Sequence, residues 1–220
     1  MIEDVLEKRE HADRGQNLKP FDSENAQSAA RPTRRDEIVA AMIRVIERDG
    51  MTAATMRGVA RELGFTTGVI SHHFRDKREL LHAVLESIFE PWEAAIEAAG
   101  EAEDRWKGIR DLFVNMLPVN EENAAMYRTW ASMLQYLDKY EELKAYYRQR
   151  NGRLRDQVAN LIHDAQKAGA VRPEIKADIK SDMLLALADG LGMASTGEPD
   201  RFDAQRLAQI MEAEILPMRP

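Results

Sequence analysis

A chain of 220 residues with 44% hydrophobic content can bury one large or two small cores, and its lack of cysteine excludes disulfides, thiolate metal sites and cysteine nucleophiles. No apolar run approaches the roughly 20 residues that span a bilayer, and the N-terminus lacks a basic flank and an apolar signal core, so a soluble cytoplasmic protein with no membrane partner is expected. The net charge of −7 is unevenly spread: residues 31–82 carry ten Lys/Arg against seven Asp/Glu with three histidines besides, while residues 1–30 and 83–220 carry −3 and −7. One basic segment in an acidic chain suits docking on nucleic acid through a single face.

Residues 1–30 are polar, with Gly15, Pro20 and at most a short helix around Ile2 to Arg9, and read as a flexible extension. An arm entering a minor groove is the alternative, disfavoured by its −3 charge; Arg31, Arg34 and Arg35 are better suited to phosphates. A first helix is expected from about Thr33 to Asp49, with Ile38, Met42, Val45 and Ile46 on one face and Gly50 as its stop.

The next stretch, 55–77, organises the chain. Helices over Met56–Leu63 and Thr67–His73 would point Val59, Leu63, Phe65, Ile70 and Phe74 inward together. Ala60 is small where the two helices cross, Gly64 supplies the permissive backbone of a tight turn, and Thr55 and Thr66 stand where N-caps are wanted. This is the pattern of a helix-turn-helix, whose second helix presents its N-terminal residues to base edges in the major groove. Asp76, with Glu79 three residues on, opens a fourth helix in an arrangement like a capping box; Leu80, Leu81, Val84, Leu85 and Ile88 continue it, and Pro91 should break or kink it.

From Trp92 onward only helices are expected, near 103–117, 121–137 (capped by Asn120), 141–168, 175–194 and 203–216 (capped by Asp203). The fold class is therefore all-α. A three-helix DNA-binding domain is expected over 31–80, with the 1–30 extension before it, followed by a larger helical domain over 81–220 where any effector-binding and dimerisation surfaces would lie.

Residues 55–77 and the helix before them resemble the DNA-binding domain of the TetR family of bacterial transcriptional regulators. Thr55, Ala60, Gly64 and the run Phe74-x-x-Lys77-x-x-Leu80 carry the resemblance. Ser71-His72-His73-Phe74-Arg75-Asp76-Lys77, with looser similarity around Trp130 and Asp189-Gly190-Leu191, is most similar to the branch containing the choline-responsive repressor BetI. Where that branch has a further Trp after the last triplet, this chain has Gly192.

The resemblance implies that Thr67, Gly68, Val69, Ser71 and His72 face the groove, with Arg57 reaching a base or a phosphate. A guanidinium can pair bidentately with guanine, so Arg57 is the expected specificity residue. His73, Lys77, Thr55 and Thr66 are expected on backbone phosphates, which position the protein without reading sequence. The resemblance also implies a homodimer built from the last two helices, through Met183, Leu184, Leu187, Leu191, Leu207, Ile210 and Met211, and hence a palindromic double-stranded operator. Read from the residues alone, those helices could equally form intramolecular core.

Two apolar stripes, one of Tyr127, Trp130 and Leu134 with Met126 and Met133 beside it, the other including Trp106 and Phe113, are either packed core or the lining of an effector cavity. Aromatic faces would suit choline or another quaternary amine through cation–π contacts. No metal is expected: His72 and His73 point about 100° apart on a helix, and no cysteine or carboxylate cluster joins them. No cofactor or enzymatic activity is expected either, for want of a phosphate-binding loop or a nucleophile motif. These features add up to a ligand-released, sequence-specific repressor. An activator or a structural DNA-binding protein of the same fold, with no effector, is the alternative.

Overall fold

The computed structural model describes residues 32–220. The N-terminal extension, its expected short helix and Arg31 lie outside the described residues. Nine α-helices make up the described chain: α1 Arg34–Ala53, α2 Met56–Leu63, α3 Thr67–His73, α4 Lys77–Glu101, α5 Arg105–Met116, α6 Glu121–Leu137, α7 Glu141–Lys167, α8 Ala177–Gly197 and α9 Ala204–Ile215. A 3₁₀ turn, Leu216–Met218, closes the chain.

Local chemistry accounts for most of these boundaries. Thr33 and Asp36 form a reciprocal capping box at the start of α1. Asp76, Asp104, Asn120 and Asp203 each accept backbone N–H groups at the starts of α4, α5, α6 and α9. Glu79 completes the α4 cap differently from a capping box, since its carboxylate accepts from the N–H of Arg75 rather than that of Asp76.

Gly50 ends the regular part of α1 as expected: at φ +75° its backbone is non-helical, and one further short turn follows to Ala53. Of the two effects expected of Pro91, a break does not occur, since α4 runs through it to Glu101. A proline in a helix removes one N–H donor, and apolar burial on both sides of it, at Leu85, Ile88 and Phe89 and again at Ile96 and Ala99, holds the helix together.

The helices enclose two apolar cores. One is centred on α1–α4, with Ile38, Met42, Ile70, Phe74, Leu80 and Leu81 fully buried. Its closure comes from elsewhere in the chain, because Met133 and Leu137 of α6 and Leu143 of α7 also belong to it. The other joins α5, α7, α8 and α9 to the C-terminal half of α4 around Ile109, Phe113, Val158, Ile162, Leu184 and Leu207. α4 therefore runs through both cores, while α6 plugs the first from the body side. Among the described residues no helix is long and apolar enough to cross a membrane.

Candidate DNA-reading face and effector cavity

The helix-turn-helix is assembled by a few contacts of short range. The hydroxyl of Thr55 accepts from the N–H of Gly58 at 2.9 Å and opens α2. A Cβ at Gly58 would overlap the carbonyl of Ala53, so the end of α1 and the start of α2 approach closely only with glycine there. Gly64, at φ 68°, caps α2 in the left-handed conformation, and the N–H of Phe65 returns to the carbonyl of Ala60 at 2.8 Å. Ile70 and Phe74 anchor α3, both fully buried.

That anchoring turns the other face of α3 outward. Thr66, Thr67, Gly68, Val69, Ser71 and His72 are all exposed, and Val69 is among the few exposed large apolar side chains of the described residues at 38%. Thr66 departs from expectation: it occupies the N-cap position of α3, yet its side chain makes no capping hydrogen bond. Arg57 is exposed near the start of α2, with no ion-pair partner among the described residues. The rings of His72 and His73 meet edge to face with centroids 5.2 Å apart.

The remaining basic residues of the head are more engaged than their sequence suggests. Arg34 pairs with Glu37 and lies over the Phe65 ring. Arg35 donates to the carbonyl of His73 at 2.9 Å and lies over the Phe74 ring. Lys77 donates from Nζ to the carbonyl of Met51 at 3.3 Å and sits 4.7 Å from the centroid of Tyr136 on α6. Lys139 covers the same ring at 4.0 Å. Burial pushes the Tyr136 phenol up, but the two ammonium groups outweigh it and hold the phenol below its ordinary value. Lys77 thus ties the start of α4 to the end of α1 and to α6.

A cavity lies between α4, α6, α7 and α8. It is lined by Ile88, Phe89 and Trp92, by Trp130, by Tyr147, Asn151 and Leu154, and by Leu185 and Asp189, and its free space is about 20 Å³, the room of a single water. Tyr127 stands behind this wall, its ring 6.0 Å from that of Trp92 and 5.9 Å from that of Trp130. Its hydroxyl donates to the carbonyl of Ala188, and burial pushes its phenol up. A Cβ at Gly192 would overlap the Tyr127 ring, so glycine is what lets α8 pack there. Burial pushes the Asp189 carboxyl up to about 6, against the partial relief that Arg155 offers.

Of the seven residues expected to line an effector pocket, Trp130 lines this cavity. Phe113 is fully buried in the body core, Trp106 packs against that core under Arg219, and Met126, Met133 and Leu134 belong to the head core. The stripes share a helical face, but that face meets different neighbours along its length. Phe89, Trp92, Tyr147 and Asn151 line the cavity without having been expected there, although the aromatic residues flanking Pro91 and the Tyr146-Tyr147 pair are visible signals.

The expected dimer interface also divides. Leu184, Leu191, Leu207 and Met211 are buried inside the protomer's own core, while Leu187 and Ile210 are partly covered. Met183 is 50% exposed, as are Ile179 and Met193 on the same helix.

Two family models match this chain. One, described as bacterial regulatory proteins of the tetR family, covers residues 38–84; the other, described as BetI-type transcriptional repressor, C-terminal, covers residues 107–218. The chain belongs to the TetR family. Membership makes it a helix-turn-helix DNA-binding regulator of transcription rather than an enzyme.

Similar proteins include the HTH-type transcriptional regulator PksA of Bacillus subtilis, 25% identical over 193 residues, covering 83% of this chain and 88% of the relative. The HTH-type transcriptional regulator BetI of Stenotrophomonas maltophilia is 25% identical over 184 residues, covering 81% and 89%. Among solved structures, a transcriptional regulator from Saccharomonospora viridis in complex with choline superposes with a TM-score of 0.74 at 22% identity, covering 83% of this chain and 95% of that one. That superposition is a likeness of fold.

Proposed function

We propose that this TetR-family regulator is a homodimeric repressor of the BetI-like branch, released from a palindromic operator when a small organic cation, choline or another quaternary amine, enters the cavity between α4, α6, α7 and α8. The observation that carries the effector reading is the lining itself: the rings of Phe89, Trp92, Trp130 and Tyr147 surround a space that also holds the carboxylate of Asp189. Aromatic faces attract a cation by about 0.5–2 kcal/mol each, and a carboxylate in a desolvated site adds a counter-charge. Choline bound to the Saccharomonospora viridis regulator supports the same ligand class. Gly192 does not remove the cage, because Trp92 from α4 supplies a second indole.

For the DNA face, Thr67, Gly68, Val69, Ser71 and His72 form the surface that enters the major groove, with Arg57 reading a base. Thr55, Thr66, His73 and Lys77 approach the phosphates. The free hydroxyl of Thr66 suits such a contact, since no capping bond consumes it. The dimer forms through the exposed face of α8 around Ile179, Met183 and Met193 together with Leu187 and Ile210.

The proposed release mechanism follows from crowding. The rings nearly fill the cavity's centre, so a ligand enters by moving α4 away from α6–α8, and α4 carries the head. A ligand that prefers the parted state shifts the equilibrium by its differential affinity, a few kcal/mol for a useful switch. The test is operator binding followed by fluorescence anisotropy, with choline, other quaternary amines, neutral isosteres and acyl-CoAs added in turn. Release by the amines alone is the expected result; release by neutral compounds alone would discard the cation reading but keep the repressor. The same crowding favours a second reading, a regulator with no effector, in which no compound changes operator affinity or melting temperature.

A further inference from the structure

Arg35 joins three helices of the head at one point. Its Nη1 donates to the main-chain carbonyl of His73 at 2.9 Å, at the C-terminal end of α3. Its guanidinium carbon stands 4.1 Å from the centroid of the buried Phe74 ring, and the same Nη1 lies 3.4 Å from Glu79 Oε1 at the start of α4. Glu79 in turn accepts the N–H of Arg75 at 2.8 Å, so the contact fixes the α3–α4 turn as well.

α3 needs such support. It has seven residues, one buried side chain within it, and no side-chain cap at its start; a helix this short is not stable by itself. Its last carbonyls have no partner inside the helix and carry the negative end of its dipole. A guanidinium answers both needs, donating to one of those carbonyls and placing a positive charge at that end. Its planar face packs on Phe74, the residue that ends α3 and drives the chain into the core.

We infer that Arg35 is a positioning residue for base reading: it sets the angle at which α3 projects Thr67 to His72, and does not itself hold a DNA phosphate. A phosphate contact would have to draw the guanidinium away from the His73 carbonyl and the Phe74 ring. The inference rests on the reading of α3 as the recognition helix.

The experiment first selects duplexes from a random pool with the wild-type dimer. The enriched duplex and a scrambled duplex of equal length are then titrated with wild type, Arg35→Ala and Arg35→Lys over a range of salt, below the melting temperature of each variant. Arg35→Ala should lose at least about tenfold on the enriched duplex, the equivalent of one charge-assisted hydrogen bond. It should keep its affinity and salt slope on the scrambled duplex, and select a looser base pattern from the pool. Arg35→Lys keeps the charge but lacks the planar fork, and should recover little of the loss.

Equal losses on both duplexes, with a salt slope shallower by about 0.9 per subunit and rescue by lysine, would make Arg35 a phosphate contact and overturn the inference. Unchanged binding to the enriched duplex overturns it too. Should Arg35→Ala not fold, Arg35→Lys decides alone: wild-type affinity and base preference in that variant sink the idea, and a loosened pattern upholds it. If the wild type enriches no duplex, the recognition-helix reading has failed and this inference falls with it.

Discussion

The proposed effector site makes affinity for a cation depend on pH through one residue. Asp189 titrates near 6 because its surroundings desolvate the carboxylate. Above that pH the free site already carries its counter-charge; below it, a cation binds only after the carboxyl gives up a proton. Affinity should therefore be level above about pH 7 and fall as pH drops through 6. At about pH 5 the free carboxyl is roughly ten parts protonated to one ionised, so affinity should be weaker by about elevenfold, or about 1.4 kcal/mol. Choline is the right probe, since its own charge does not titrate.

Isothermal calorimetry at about pH 8 and about pH 5, in buffers of different ionisation enthalpy, reads both the affinity and the proton released on binding. Asp189→Asn should bind choline more weakly at pH 8 and lose the pH dependence. A wild-type affinity that stays level from pH 8 to pH 5 would refute the reasoning, and so would an Asp189→Asn variant that binds like wild type at pH 8. The same shift has a sign for stability. Between the ordinary value of 3.8 and about 6 the folded state holds a proton that the unfolded chain has lost, so stability falls as pH rises through that window. Asp189→Asn should consequently stabilise the ligand-free protein near pH 7, by on the order of 1–3 kcal/mol.

Four further substitutions test the remaining assignments. Arg57→Ala should relax base preference at one operator position at a cost of about 1–3 kcal/mol, read by competition with single-base operator variants. Lys77→Ala should weaken binding to every duplex and lower the slope of log affinity against log salt by about 0.9 per subunit; an unchanged slope would leave Lys77 as a tie between α1, α4 and α6 only. Gly192→Ala forces a methyl group against the Tyr127 ring and should cost about 1–3 kcal/mol in chemical denaturation at fixed protein concentration. Met183→Glu puts a charge on the exposed face of α8 and should shift sedimentation from dimer to monomer while leaving the helical content intact, since Met183 is half exposed in the single protomer.

The helix-turn-helix was legible in the sequence because its determinants are local. The spacing of Val59, Leu63, Ile70 and Phe74, the left-handed residue at Gly64 and the cap at Thr55 act within one or two helical turns, and the two helices begin and end where those residues require. Asp76, Asp104, Asn120 and Asp203 mark helix starts for the same reason. Local rules also met their limit there: Thr66 has the residue type of a cap and the backbone of one, yet its hydroxyl makes no capping bond, because the helix N-terminus faces solvent where water can serve the N–H groups.

Which face meets which helix was decided only by the tertiary structure. Trp106, Phe113 and Trp130 sit on equally apolar stripes, but the first two pack into the body core and the third opens on the cavity. α8 is apolar on more than one side, so Leu184 and Leu191 turn inward while Ile179 and Met183 stay out. Arg35 could be counted among the basic residues but not assigned its partner, a carbonyl 38 residues further along the chain. Helical periodicity determines which side chains share a side of one helix. Packing among the nine helices of the described residues determines what that side touches, and that choice depends on the shapes and volumes of residues far apart in the chain.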